Sequence, residues 1–361
     1  MSLPGGISAR QWGQDGWVTG AECCVSSVRR SAVAVVFAMG LLAGCAGGDD
    51  SPDASATTPS TGDGKAATVL VYIRPAEFQA DDLDHMVVER LGGTSAAEVA
   101  TPDGLRVASP DVSPDGRRVA YLTWSDAAQS TGDIWVSPLS DAADRPTRIT
   151  EASEEWWCPR WMPDSRHLLA FRDGPIAQLA VIDSEGGDVQ VVDTDIDVEE
   201  MAVCADPSPS GGEVAVARDT PHGQNEVWSI PIDGAKERRL GALPEECTIN
   251  DVAWSPTEGL VATDAICQSR NFNGIWLVAT DGTAPTQLVG ENAANSPTLD
   301  SFQYWEPAWS PSGDRVFFHR HLTTQYGTEP DPPSIWQAEV KGSSPEQVTE
   351  PGSLSPSAGP A

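Results

Sequence analysis

Short runs in which apolar and polar residues alternate, separated by clusters of Pro, Gly, Asp and Ser, recur along most of this chain and predict many short strands joined by turns. One such unit repeats. Asp111-Val112-Ser113-Pro114-Asp115-Gly116-Arg117-Arg118-Val119-Ala120-Tyr121 returns as Trp161-Met162-Pro163-Asp164-Ser165-Arg166-His167-Leu168-Leu169-Ala170-Phe171. It returns again around Pro209, around Trp254-Ser255-Pro256 and around Trp309-Ser310-Pro311-Ser312-Gly313. The marker prolines 114, 163, 209, 256 and 311 are 49, 46, 47 and 55 residues apart. The unit reads as a hairpin: Pro sets φ for a turn, Asp or Ser bonds back to the backbone, Gly takes positive φ, and an apolar strand follows.

Each marker is followed by a further short strand, carrying Trp135, Trp228, Trp276 or Trp336 in four of the five repeats, and then by a polar outer strand such as Arg239-Leu240 or Gln347-Val348. Four strands at this period predict propeller blades, stacked because no blade can bury both of its faces alone. The recurring Trp is expected to pack between blades. Val69–Ile73, His85–Val88 and Glu98–Ala100 match the second, third and fourth strands of a sixth blade whose first strand is missing. Glu350–Gly359 repeats the pattern of Glu306–Gly313, with Pro356 45 residues past Pro311. The expectation is an all-β, six-bladed propeller over residues 67–359, its ring closed by residues 350–359 as the inner strand of blade one and by three strands from the N-terminus, without long exposed edges.

These repeats resemble the TolB-like (WD40-like, PD40) β-propeller family, whose signature is an aromatic or polar residue, then Ser, Pro, Asp and Gly before an apolar strand. The resemblance covers about residues 67–359 and departs from the pattern at Met162, Ser165, Thr257 and Glu258. It implies a fold and an extracytoplasmic setting more firmly than an activity.

The first segment reads as an address. Arg29 and Arg30 precede an apolar run, Ala32 to Leu42, followed by Ala43, Gly44 and Cys45. A basic region, a short apolar run and small residues form a signal peptide, too short in its apolar part to span a bilayer. Leu42-Ala43-Gly44-Cys45 resembles a bacterial lipobox, which implies lipidation of Cys45 after cleavage of residues 1–44. Residues 45–66, rich in Gly, Ser, Thr, Asp and Pro, read as a lipidated flexible tether, which places the chain on the extracytoplasmic face of a membrane. Residues 1–24 have no signal character, and Val25 begins a compact signal peptide, so Met1 is read as a misassigned start.

The 361 residues carry 53 Asp and Glu against 22 Lys and Arg, a formal charge of −31. Such a balance excludes a general affinity for nucleic acid, which needs cations to displace counterions from phosphate. The carboxylates are scattered along the sequence, so solubility accounts for them. Once Cys45 is lipidated and residues 1–44 are gone, Cys158, Cys204, Cys247 and Cys267 remain, an even number that favours disulfides in an exported domain. Cys158 and Cys204 each stand five residues before a marker proline in adjacent blades, which pairs them with each other and Cys247 with Cys267. Metal ligation is the alternative, with no Cys-x-x-Cys to favour it.

No Gly-x-Ser-x-Gly elbow, His-Glu-x-x-His helix, P-loop or dinucleotide fingerprint occurs, so no catalytic residue, metal or cofactor is assigned and a module without catalysis is expected. His319 and His321 share one face of a strand and read as polar residues near the surface, with a metal or lyase site as the alternative, for which no third ligand is evident. The ligand candidates are Trp156, Trp157, Tyr304, Trp305 and Glu306, five to seven residues before their marker prolines, where inner strands enter the ring; Asn250 and Asp251 hold the matching place in blade five. Aromatics beside a carboxylate suit a peptide or a sugar. The expected partner is a cell-envelope protein or peptide held by a binding or scaffold module, the alternative is a propeller that binds or processes a carbohydrate at the aromatic channel mouth, and the propeller is expected to be a monomer.

Overall fold

The computed structural model describes residues 33–38, 68–74, 85–91 and, with short interruptions in the loops, 96–349. It is all-β: among the described residues 24 strands form six four-stranded antiparallel sheets arranged as a propeller. Blade one contains β1 (Val33–Ala38), β2 (Thr68–Arg74), β3 (His85–Leu91) and β4 (Ala96–Glu98), and blade two β5 (Arg106–Val112), β6 (Arg118–Trp124), β7 (Asp133–Pro138) and β8 (Thr147–Arg148). Blade three contains β9 (Trp156–Trp161), β10 (His167–Arg172), β11 (Gln178–Asp183) and β12 (Val189–Val191). Blade four runs through β13 (Asp206–Pro207), β14 (Glu213–Thr220), β15 (Gly223–Pro231) and β16 (Arg238–Ala242). Blade five has β17 (Cys247–Trp254), β18 (Leu260–Cys267), β19 (Phe272–Ala279) and β20 (Thr286–Asn292), and blade six β21 (Ser301–Trp309), β22 (Arg315–Thr323), β23 (Ser334–Glu339) and β24 (Glu346–Gln347).

The marker turns show why the repeat needs its residues. In blade two the Ser113 hydroxyl donates to Asp115 Oδ1 at 2.6 Å and accepts the Arg118 N–H at 3.0 Å, while Gly116, at φ 69°, donates to the Ser113 carbonyl at 2.7 Å. Blade six repeats this arrangement with Ser310, Gly313 and Arg315. Blade three, where Met162 replaces the serine, turns differently: Asp164 Oδ1 accepts the N–H groups of Arg166 and His167 at 2.8 and 2.9 Å. Ser165 takes the left-handed place of the glycine there, at φ 56°.

Packing lies between the blades. Each pair of neighbouring blades shares one hydrophobic cluster: Ala120, Leu122 and Ile134 of blade two meet Trp156, Leu168 and Ala170 of blade three, for example. The four third-strand Trp residues sit half-buried against such clusters, as expected. A second fastening recurs closer to the axis. Trp161 donates its indole N–H to the Asp111 carbonyl one blade back at 2.9 Å, and Trp309 does the same to Ala253 at 2.8 Å.

The ring closes: Leu70, Tyr72 and Val87 of blade one pack on Ala308, Phe317 and Ile335 of blade six. The place beside β2 is taken by β1, drawn from the apolar run of the leader, and the expected closing strand, residues 350–359, lies outside the described residues. The physical reason is that β2 offers an open edge of backbone donors and acceptors to any β-forming segment, and Val33–Ala38 is one. Removing residues 1–44 is accordingly expected to lower the melting temperature of the unprocessed chain more than deleting residues 350–361 does. Thermal melts giving the opposite ranking would return the tail to the inner position.

Both expected disulfides form. Cys158–Cys204 joins the inner regions of blades three and four, with Cα atoms 5.4 Å apart, and Cys247–Cys267 ties the opposed strands β17 and β18. The first closes a chain segment of 46 residues, which a loop-entropy account values at about 4 kcal/mol. Cys158→Ser with Cys204→Ser is therefore expected to lose about 3 to 4 kcal/mol in denaturant unfolding; a loss under about 1 kcal/mol would show that the interblade packing already holds these strands.

Candidate functional site on the propeller axis

The marker prolines number the inner strands in a common frame. Three residues before the marker stand Asp111, Arg160, Asp206, Ala253 and Ala308, and five before it stand Ser109, Cys158, Cys204, Asp251 and Glu306. Ser109, Cys158 and Glu306 hold φ of 48°, 54° and 54°, each just before a proline and within an irregularity of strand pairing. That kink turns the following residues toward the axis.

Arg160 is the centre of the arrangement. Its Nε lies 3.7 Å from Asp206 Oδ1 and its Nη2 3.7 Å from Asp251 Oδ2, and the charges of Asp111 and Glu306 also act on it. A side chain influenced by four other inner strands stands on the axis of the ring. Burial works against its charge, but Asp251, Asp111, Asp206 and Glu306 more than offset this and keep it protonated.

The carboxylates are under the opposite pressure. Burial pushes Asp206 up to about 7, against the pull of Arg160 and with a push from Asp111 and Asp251. Burial lifts Asp111 to about 6, against Arg160 and the Trp161 N–H, which donates to Asp111 Oδ2 at 2.5 Å. Asp206 Oδ2 accepts the Trp254 N–H at 2.6 Å in the same way one repeat on. Asp264 on β18 is 1% exposed and rises well above the ordinary carboxylate range, through burial and the nearby charge of Asp251. Asp111 and Asp206 therefore take up protons as the pH falls through the range of about 7 to 6.

The sequence-derived candidates are not brought together as one aromatic mouth. Trp156 is fully buried between blades two and three, its indole N–H donating to Glu154 Oε2 at 3.2 Å. Tyr304 is buried between blades five and six against Phe318. These two side chains are core, because they point to the interblade face of their strands. Trp157 and Trp305 are half-buried and occupy equivalent ring positions, Trp157 stacked on Phe171 with centroids 5.4 Å apart. Glu306 alone of the five belongs to the charged group, its N–H donating to Asp264 Oδ2 at 3.4 Å. Cys45 lies outside the described residues.

His319 and His321 do come together, with ring centroids 5.5 Å apart, but His319 is 8% exposed and so is not a surface residue. Burial, and then His321, push His319 down to about 3, and burial lowers His321. Among the described residues no three His, Cys, Asp or Glu side chains are grouped to hold a metal ion. Sequence reasoning missed Asp111, Arg160, Asp206 and Asp264. The usable signal was a charge at a fixed distance before the marker in strands that are otherwise apolar.

No family model matches the chain, and no curated protein matches it in sequence. Solved structures do resemble it. TolB from Acinetobacter baumannii is 13% identical over 77% of this chain and 65% of its own, with a TM-score of 0.55, so the chain spans just under two thirds of that protein. A protein described as a TolB from Agrobacterium tumefaciens is 18% identical over 70% of this chain and 83% of its own, with a TM-score of 0.53. An oligogalacturonate lyase in complex with manganese is 13% identical over 78% and 81%, with a TM-score of 0.51. That lyase corrects the expectation of a module without catalysis, since a protein with a similar propeller is an enzyme. At these identities the likeness establishes the fold, and the chain is a six-bladed β-propeller of the kind seen in TolB proteins.

Proposed function

We propose that this chain is an extracytoplasmic lipoprotein, anchored through Cys45, whose propeller holds a cell-envelope protein or peptide at one end of its axis. The observation that carries the binding half is the convergence of charges from four other inner strands on Arg160, at a place solvent still reaches: the side chains of Arg160, Asp206 and Asp251 keep 15, 19 and 12% exposure. Trp157 and Trp305 stand at equivalent positions three residues earlier in their strands than Arg160 and Ala308, and add half-buried aromatic surface to that end. An acidic sugar suits the site poorly, because four inner-strand carboxylates face a single guanidinium. The loss of Trp156 and Tyr304 to the blade cores also removes half of the aromatic surface that a glycan would need.

The anchor is supported by the lipobox-like sequence and by two disulfides, which persist in oxidising compartments. Cleavage before Cys45 removes β1 along with the leader, so in the processed form the inner edge of β2 is free for another strand.

Cys45→Ser is expected to abolish incorporation of labelled palmitate and to move the protein from the membrane fraction to the soluble one; unchanged fractionation would overturn the anchor. Cross-linking of the membrane-anchored protein, followed by mass spectrometry, is expected to recover one envelope protein whose yield falls at least about fivefold in Trp305→Ala and in Asp251→Asn. Equal recovery with parent and both variants would remove the axis as the binding end.

A further inference from the structure

The two disulfides stand in different surroundings. Cys247 and Cys267 are 1% and 2% exposed, face each other across β17 and β18, and belong to the core cluster between blades four and five. Cys158 and Cys204 are both partly exposed, and they join two blades rather than two strands of one. Thiol–disulfide exchange needs a thiolate to reach a sulfur, so access separates the bond between blades from the bond within one.

The bond between blades holds more than its two sulfurs. Two residues further along both strands, Arg160 Nε lies 3.7 Å from Asp206 Oδ1, so the same inner strands are joined once covalently and once by charge. Blade three keeps its shape by other means. Ser109 and Glu306 make the same left-handed kink as Cys158 in blades two and six, where no cysteine stands, and β9 pairs with β10 on both sides of that kink. The inner strands β5, β17 and β21 likewise pair on both sides of their irregularity. Blade four differs. Among the described residues β13 pairs with β14 at Asp206 and Pro207 alone, on the side toward the marker, and a proline donates no ladder hydrogen bond. On the other side stand Ala205, packed in the cluster between blades three and four, and then Cys204. The disulfide thus occupies the place where the other inner strands have ladder pairs.

We propose that Cys158–Cys204 is a reducible clasp: a dithiol opens it in the folded protein, and opening frees the start of the blade-four inner strand, with Asp206, from blade three. A thiolate of the dithiol attacks one cysteine sulfur, and the S–S bond breaks with its electron pair on the other cysteine. The second thiol of the reductant then displaces the first cysteine from the mixed disulfide. Two electrons and two protons pass from the dithiol, which leaves as a disulfide, to Cys158 and Cys204, which become thiols. Cys247–Cys267 takes no part, because its sulfurs lie inside the interblade core.

The test incubates the full chain with dithiothreitol under native conditions, traps free thiols with iodoacetamide at intervals and reads each cysteine by peptide mass spectrometry. Cys158 and Cys204 are expected to be alkylated at least about tenfold faster than Cys247 and Cys267. Hydrogen exchange of the singly reduced protein is expected to rise in peptides covering Cys204 to Ser208, to stay unchanged in β17 and β18, and to return to its first level once the bond is re-formed by air oxidation. Cys158→Ser with Cys204→Ser should show the raised exchange without reductant, and Cys247→Ser with Cys267→Ser should leave those peptides as they are in the parent. Equal reduction rates for the two disulfides overturn the proposal. So does reduction of Cys158–Cys204 only at the rate of global unfolding, or reduction that leaves exchange from Cys204 to Ser208 unchanged. These three comparisons are made on the parent chain and hold even where a variant fails to fold.

Discussion

A four-stranded blade has two apolar faces and covers neither, and this constraint shapes the molecule. Six blades answer it by standing face to face around an axis, so the core consists of interblade clusters rather than one central mass. Trp161 and Trp309 show how the requirement reaches the inner strands, where each sends its indole N–H across to a carbonyl of the preceding blade. The Cys158–Cys204 disulfide ties the same region of blades three and four covalently.

The same geometry makes the axis chemically unusual. Inner strands converge there, so side chains far apart in sequence share a small and partly dry space. Asp111 and Glu306 are nearly two hundred residues apart, yet both act on Arg160. In such a place charges cannot be screened as they are on the surface, and ionisation of one carboxylate raises the next. The site is thus a product of ring closure: no single blade contains more than a fragment of it.

Blade one shows the limit of a repeat argument. Three of its strands were recognisable from their pattern, and β2, β3 and β4 stand where that pattern put them. The fourth place is an open strand edge, which backbone hydrogen bonding fills with little regard for side-chain identity, so Val33–Ala38 competes for it as well as any repeat-like segment. The aromatic candidates divide for a related reason. Trp156 and Trp157 are neighbours in sequence, but successive strand residues face opposite sides, and one is core while the other keeps some exposure.

What the sequence determined by itself is whatever depends on local chemistry repeated in register. The marker turns with Pro, Asp, Ser and Gly, the four strands per blade, the count of six, and the cysteine pairing that follows from equal offsets before Pro163 and Pro209 were all legible there. What only the tertiary structure decided is which strand stands beside β2, which aromatics turn inward to the blade cores, and which charges meet at Arg160. The physical reason is that strand propensity and turn chemistry act over a few residues, whereas backbone edges, interblade faces and axial charges acquire their partners only when the ring has closed.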